Sequence, residues 1–203
     1  KEKNIQKYAV YKYPQTRKKA MKAKKVNLKF FPEGGNLVKG VPSQVAFEAT
    51  DAYGNPITLF GRIINRRKEE IGHFATIHEG RGVFTYIPTG EDADKAEVEL
   101  GGKKYRFDLP EVCSQGYVLH VDNLTSEDSI AVSVQKNTYT PSNLLGLAVI
   151  AHGKLLNSCL LNVGKNTPVS FKLDKSEWTP GVVQLVLFDT AGQIIADRLV
   201  FTR

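Results

Sequence analysis

The feature that most constrains the fold is a series of short apolar segments separated by glycine-rich turns. The segments 26–30 (VNLKF), 45–49 (VAFEA), 83–87 (VFTYI) and 97–100 (EVEL) alternate or are rich in β-branched and aromatic residues, which is typical of strands. Turn signals such as 34–36 (GGN), 51–56 (DAYGNP) and 101–102 (GG) lie between them. Strands at this spacing predict an antiparallel β-sandwich.

The pattern begins again after residues 109–111 (LPE). Seven further strand-like segments follow, from 117–121 (YVLHV) to 193–202, enough for a second sandwich. We therefore predict an all-β chain with two tandem immunoglobulin-like antiparallel β-sandwiches, residues 26–112 and 113–203, and a boundary near 112 and 113. Helix is predicted at most as one turn at 174–178.

The positive charge is concentrated ahead of the predicted sandwiches. The chain has 28 Lys and Arg against 21 Asp and Glu, a net charge of +7. Residues 1–25 hold ten basic side chains and one acid, so the other residues are close to neutral. We interpret 1–25 as a basic linker or the remnant of an upstream domain, although its interleaved tyrosines also suit an anionic surface. No nucleic-acid partner is expected, because neither sandwich has an excess of positive charge.

No constellation of residues points to catalysis or to a metal. The chain lacks a nucleophile elbow, a phosphate-binding loop and a dinucleotide fingerprint. His73 and His78 are five residues apart and would face opposite sides of an uninterrupted strand. The acids in 91–99 are interpreted as solvent-exposed charge rather than a catalytic pair. We expect no enzyme activity, no cofactor and no metal.

Two smaller features have structural interpretations. Cys113 and Cys159 are interpreted as free thiols, with a single disulfide between them left open because spacing does not test its geometry. An Asp-x-x-Gly-x-x-Ile pattern at Asp51 and again at Asp189 follows a predicted strand each time. Asp is expected to accept hydrogen bonds from the turn backbone while Gly takes a positive φ.

Several motifs resemble the macroglobulin-like (MG2-type) β-sandwich repeats of large cell-envelope proteins in anaerobic Gram-negative bacteria. They are 30–38 (FFPEGGNLV), 45–57 (VAFEATDAYGNPI), 78–88 (HEGRGVFTYIP), 107–110 (FDLP), 181–189 (GVVQLVLFD) and 196–201 (ADRLVF). The resemblance spans nearly all of 26–203 and implies a fold, not a reaction. The thioester motif Cys-Gly-Glu-Gln of true macroglobulins is missing at both cysteines, which puts covalent trapping of proteases in doubt.

The resemblance also implies a cellular context. Such proteins are exported to the periplasm, outer membrane or cell surface, and are often annotated near TonB-dependent receptor plug proteins. The chain begins with Lys1 rather than Met, so we expect a processed product or a piece of a longer protein. Its partners would be other domains of that protein or envelope proteins, with glycan as a further candidate, and the fragment is expected to be a monomer.

Two functions fit these expectations. The first is a non-enzymatic spacer or protein-interaction scaffold linked to outer-membrane uptake. The alternative is a glycan- or peptide-binding module that uses loops at a sandwich end. Aromatic side chains near turns are the candidates for such a binding platform, although packing in the core or a hinge explains them as well: Tyr53, Tyr139 and Trp178.

Overall fold

The computed structural model describes residues 26–90, 94–165 and 167–202, and residues 1–25 lie outside them. The described residues form strands and turns without a helix, so the predicted all-β class is confirmed. They accordingly include no helix of the length and apolarity needed to span a membrane. The strands of the first half are β1 (Asn27–Pro32), β2 (Leu37–Val38), β3 (Ser43–Thr50), β4 (Phe60–Ile64), β5 (Glu70–Ala75), β6 (Arg81–Tyr86), β7 (Lys95–Leu100), β8 (Lys103–Asp108) and β9 (Val112–Cys113).

The first sandwich packs a three-stranded sheet, in the order β1-β3-β6, against a four-stranded sheet, in the order β5-β4-β7-β8. Strand β3 buries every second residue, as a strand with one face on a core must. Four aromatic rings fill the centre, and Phe47 meets Phe74 edge to face with 5.0 Å between ring centroids. Phe30 and Phe84 complete the cluster. This core explains why the alternating segments fold as a sandwich.

The second sandwich has the same three-plus-four arrangement. Its strands are β10 (Tyr117–Asp122), β11 (Ser129–Lys136), β12 (Leu144–Ala151), β13 (Lys154–Asn162), β14 (Val169–Asp174), β15 (Gly181–Phe188) and β16 (Ile194–Thr202). They form one sheet in the order β10-β11-β14 and another in the order β13-β12-β15-β16. Leu147, Leu185 and Ile130 are fully buried between the sheets. All seven strands predicted for this half are confirmed, and the two sandwiches have immunoglobulin-like architecture.

A two-stranded parallel sheet lies where the sandwiches meet. β2 pairs with β9, with Leu37 opposite Val112 and Val38 opposite Cys113. The domain boundary predicted near residues 112 and 113 therefore falls inside a strand that is hydrogen-bonded to the first sandwich. The possible helical turn at 174–178 is a single turn closed by the Trp178 N–H, which donates to Lys175 O at 3.0 Å.

The two predicted Asp turns form as expected. Asp51 Oδ1 accepts from the N–H of Tyr53 at 2.8 Å and of Asn55 at 3.0 Å. Asp189 Oδ1 accepts from the N–H of residues 191 and 193, both at 2.9 Å. The glycines Gly54 and Gly192 have φ of 83° and 80°, so both turns use the left-handed region that glycine tolerates.

A third turn of the same design joins β4 to β5. Asn65 Oδ1 accepts from the N–H of Arg67 at 2.9 Å and of Glu69 at 3.0 Å. Lys68 stands where the other two turns have glycine, and its φ is 64°. A side chain at this φ is strained, which makes Lys68 a local cost in stability.

Candidate functional site at the joint between the sandwiches

The site begins at the corner after β1. Pro32 ends the ladder, the Gly35 N–H donates to Pro32 O at 3.0 Å, and Gly34 has a φ of 75°. A Cβ at Gly34 would lie 3.4 Å from the backbone oxygen of Leu119 in the second sandwich. The glycine therefore serves both the turn and the close approach of the two sandwiches. The corner directs Glu33 toward β10.

Glu33 connects three groups of the second sandwich. Its Oε2 lies 2.6 Å from Nδ1 of His120, and its Oε1 accepts from the Val121 N–H at 3.1 Å. Arg198 Nε on β16 lies 3.2 Å from Oε1. The Glu33 side chain is only 8% exposed, whereas those of His120 and Arg198 are about half exposed. A buried carboxylate requires such partners, so this contact holds the corner against β10 and β16.

Backbone and amide contacts hold the other side of the joint. The Asn137 Nδ2 donates to Ser114 O at 2.7 Å and to Lys39 O at 3.2 Å. The Lys39 N–H in turn donates to Cys113 O at 3.0 Å. Between them lies a small apolar cluster of Val38, Val41 and Val118, each at most 4% exposed. The joint combines directional hydrogen bonds with a buried apolar contact, which together oppose rotation of one sandwich against the other.

A buried lysine orders the loop next to the joint. Lys136 is fully buried, and its Nζ donates to Thr140 O at 2.7 Å, Ser142 O at 3.0 Å and Asn143 Oδ1 at 2.5 Å. These three acceptors match the three donors of an ammonium group. The loop it holds carries Tyr139, whose ring lies 6.0 Å from Lys39 Nζ of the first sandwich.

The joint also encloses a groove of about 390 Å³. Its lining is mixed, with apolar side chains from both sandwiches and polar groups of the loop at 140–142. The residues that face it include Val38, Cys113, Tyr117, Pro141 and Ile195. The groove is open to solvent, so its lining is accessible to a ligand.

The three aromatic candidates from the sequence lie in three different places. Tyr53 is exposed in the turn that follows β3, at the end of the first sandwich opposite the Pro32 corner. Tyr139 is exposed at the joint. Trp178 is partly buried against the core of the second sandwich, beyond the Asp174 end of β14. No ring contact links the three among the described residues, so the structure does not bring them together into one platform.

The sequence predicted that the acids in 91–99 are solvent-exposed. Asp94 departs from that prediction. Asp94 is 8% exposed and its Oδ2 accepts from the Tyr86 hydroxyl at 2.5 Å. Burial, together with this hydrogen bond, raises the pKa of Tyr86. Residues 91–93 lie outside the described residues. Because Asp94 satisfies a core hydroxyl, its role is structural.

Glu97 is the second departure from that expectation. It is 4% exposed and lies among cations, with Oε1 2.7 Å from Arg62 Nη2, Oε2 2.9 Å from Arg106 Nε, and Lys104 Nζ at 3.7 Å. Hydrogen bonds from Arg62 and Arg106 lower the pKa of Glu97 to about 2. The long basic side chains cover the carboxylate, which turns a strand acid into the centre of a charge network.

The described residues offer few side chains for metal binding or thiol chemistry. These residues contain no group of three or more His, Cys, Asp or Glu side chains that could hold a metal ion. Cys113 and Cys159 are free, and burial raises the pKa of Cys159. A raised pKa keeps that thiol protonated and unreactive at neutral pH.

Comparison with known proteins gives likenesses of fold only. No family model matches the chain, and no curated protein matches its sequence. Among solved structures, native alpha-2-macroglobulin of E. coli aligns with 86% of this chain and 14% of its own, at 14% identity and a TM-score of 0.30. The BSP domain of a biofilm-associated protein aligns with 87% of this chain and 29% of its own, at 11% identity and a TM-score of 0.36.

A third likeness is to a phage protein. The three N-terminal domains of the highly immunogenic outer capsid protein of bacteriophage RB49 align over 89% of this chain and 59% of that structure, at 9% identity and a TM-score of 0.32. The chain spans less than two thirds of each of these three proteins. Similarity at this level does not assign a family or an activity.

The sequence singled out the 30–38 motif, but the contact that its Glu33 makes was missed. The position of Glu33, between Pro32 and two glycines, was the available signal of a contact. A charged side chain at a tight corner is either solvated or paired with a neighbouring element. Its partners His120 and Arg198 are 87 residues or more away along the chain. The sequence does not indicate which distant residues pair with Glu33.

Proposed function

We propose that this chain is a non-enzymatic, macroglobulin-like module of a larger exported envelope protein. It would act as a spacer or protein-interaction scaffold with a link to outer-membrane uptake. The observation that supports the spacer role best is the Glu33 contact, in which one buried carboxylate holds β10 and β16 of the other sandwich. Two sandwiches fixed in this way present their outer surfaces at a constant spacing and angle, which a scaffold requires.

The spacer role is tested by small-angle X-ray scattering. The wild-type chain should give a scattering profile that one arrangement of residues 26–202 fits. The double variant Glu33→Ala/Asn137→Ala removes the polar contacts that these two side chains make across the joint, and its profile should require a mixture of arrangements. A matched control is Glu127→Ala, an exposed acid of the second sandwich. A wild-type profile that already requires a mixture would contradict the proposal.

The envelope location is tested separately in the native cell. Fractionation of the full-length protein should recover it with the periplasm or outer membrane, and surface exposure should make it sensitive to added protease on intact cells. Recovery of the full-length protein from the cytoplasm would contradict an exported role while leaving the spacer geometry untouched.

The groove at the joint supports the second candidate, a peptide- or glycan-binding module. Its apolar and polar lining comes from both sandwiches. Ligand sites are common at such interfaces between domains. Glycan-array screening followed by calorimetry should then detect a ligand whose binding is weakened by Pro141→Trp, which fills the groove. Binding lost only on Trp178→Ala would instead favour the sandwich-end loops.

A further inference from the structure

The outer edge of the second sandwich carries a long strand with one charge and one register shift, which leaves Leu156 out of the pairing with β12. β13 stands at the end of its sheet and pairs only with β12 among the described strands. It spans nine residues, Lys154–Asn162 (KLLNSCLLN), and its one charge is on the first residue. An exposed strand edge presents unpaired N–H and C=O groups, so natural proteins usually place charge or proline there.

The other edge strands of the described sheets are shorter or carry charge or proline beyond the first residue. β10, the neighbour of the joint, has its edge occupied by Glu33, which accepts from the Val121 N–H. The remaining edges have charge or proline within the strand: Lys29 and Pro32 on β1, Arg81 on β6, Glu70 on β5, Arg106 on β8, Lys172 on β14 and Asp197 on β16. The charges of β5 and β6 also stand on the first residue, but those strands have six residues each, so 155–162 of β13 is the longest stretch of edge without charge or proline.

Three leucines of β13 are exposed among its polar side chains. Leu155 is 62% exposed, Leu156 39% and Leu160 75%. On the neighbouring strand β12, Leu144 is 43% exposed. Such a patch beside an open edge favours a partner that adds a strand and covers the leucines at the same time.

The order of side chains along β13 indicates which partner fits. About Ser158 the strand reads nearly the same in both directions: a leucine pair at 155–156 and another at 160–161, polar residues or cysteine beside the centre, and a polar residue at each end. A second copy placed antiparallel about a twofold axis at Ser158 sets Leu156 opposite Leu160, both of which are exposed. It also keeps the two Lys154 groups at opposite ends, so no like charges meet.

We propose that β13 is a self-association edge, through which two copies of this chain pair antiparallel and form one continuous eight-stranded sheet. This proposal differs from the monomer expected from the sequence. The order of strands in the sheet places β13 at an open edge, and the sequence alone does not show that order. A twofold contact of this kind uses the same edge on both copies and is closed. The product is a dimer and not a filament.

The first test is the oligomeric state of residues 1–203 by sedimentation across a concentration series. The wild type should reach a dimer, and Leu160→Lys should weaken the dimer by tenfold or more. Leu199→Lys is the matched control, since Leu199 is 58% exposed on β16 at the opposite edge of the same sheet. Circular dichroism melts of both variants establish that each one is folded.

The second test locates the twofold axis of the proposed dimer at Ser158. In a Cys113→Ser/Cys159→Ser background, Ser158→Cys should form a disulfide-linked dimer on mild oxidation, because residues opposite each other in an antiparallel pair lie within disulfide reach. Ser170→Cys on the β14 edge of the same sandwich should stay monomeric. This measurement does not depend on how a lysine at position 160 affects folding.

Three outcomes would overturn the proposal. A wild type that stays monomeric up to its solubility limit would exclude self-pairing, and an extended peptide that then bound β13 would identify a different occupant. A dimer that survives Leu160→Lys would lie on another surface. Assemblies that grow beyond two copies would exclude the closed twofold contact.

Discussion

Oε2 of Glu33 lies 2.6 Å from Nδ1 of His120, and this pair joins a corner of the first sandwich to a strand of the second. The same carboxylate accepts from the Val121 N–H and lies beside Arg198. Because Glu33 is nearly buried while its two charged partners are half exposed, the carboxylate is the member whose loss matters most. Its own access to water is small, because only 8% of its side chain is exposed.

Glu33→Ala should therefore lower the free energy of unfolding by about 1–3 kcal/mol, the usual cost of leaving charged hydrogen-bonding groups without a partner. The measurement is urea unfolding followed by fluorescence of Trp178 in the second sandwich. Glu127→Ala, an exposed acid, should change the free energy by less than about 0.5 kcal/mol. Equal effects of the two variants would show that Glu33 is not a stabilising contact.

Lys136→Met should destabilise the second sandwich by about 1–3 kcal/mol, because methionine fills the space but removes three hydrogen bonds, among them the one to the buried Thr140. Hydrogen exchange should increase in the loop 137–143, which the ammonium group holds at Thr140, Ser142 and Asn143. Lys172→Met on the exposed side of β14 is the control. A loop that keeps its protection in Lys136→Met would argue against the lysine as its organiser.

The lowered pKa of Glu97 predicts that the free energy of unfolding falls in acid. Its pKa is lowered from 4.5 to about 2 in the folded chain by Arg62 and Arg106, so unfolding at low pH takes up a proton that the native state excludes. The stabilisation is fully present above about pH 4.5 and is lost as the pH falls toward 2. Unfolding midpoints measured between these values should fall less steeply in Glu97→Gln than in the wild type.

Two controls separate Glu97 from other acids. Glu99→Gln changes an exposed carboxylate on the same strand and should leave the slope as in the wild type. Asp122, whose pKa is also lowered to about 2 by the Thr125 and Leu124 contacts, should preserve part of the slope in Glu97→Gln. A slope that Glu97→Gln leaves unchanged would contradict the assignment.

Lys68→Gly should stabilise the first sandwich. Lys68 has a φ of 64° in a turn where two related turns place glycine, and glycine removes the steric cost of that conformation. After the extra flexibility of the unfolded chain is subtracted, the gain should be about 0.5–1 kcal/mol. Arg66→Gly, at a position without positive φ, should instead be neutral or destabilising by thermal melting.

The strands were predictable where one face of each had to meet a core. Alternation in 45–49 and 129–134 follows directly from that demand, and all seven strands of the second half were found. The Asp51 and Asp189 turns were predictable because Asp and Gly each have a distinct role in the turn. The turn at Asn65 was missed, since Lys68 occupies the position that identifies the other two.

The joint was not predictable because its contacts depend on the relative placement of distant strands. Glu33, His120 and Arg198 carry no shared pattern in the sequence, and Asn137 reads as an ordinary turn residue. Glu97 was misjudged for the same reason: its cations Arg62 and Arg106 come from the strands on either side of it. Pairing of strands, rather than spacing along the chain, decides which charges meet.

The most direct test of a fixed joint is a set of residual dipolar couplings, measured by nuclear magnetic resonance on the two sandwiches of one chain. A single alignment tensor should fit residues 26–112 and 113–202 together in the wild type, and two different tensors should be needed in Glu33→Ala/Asn137→Ala. Two unrelated tensors in the wild type would contradict the account.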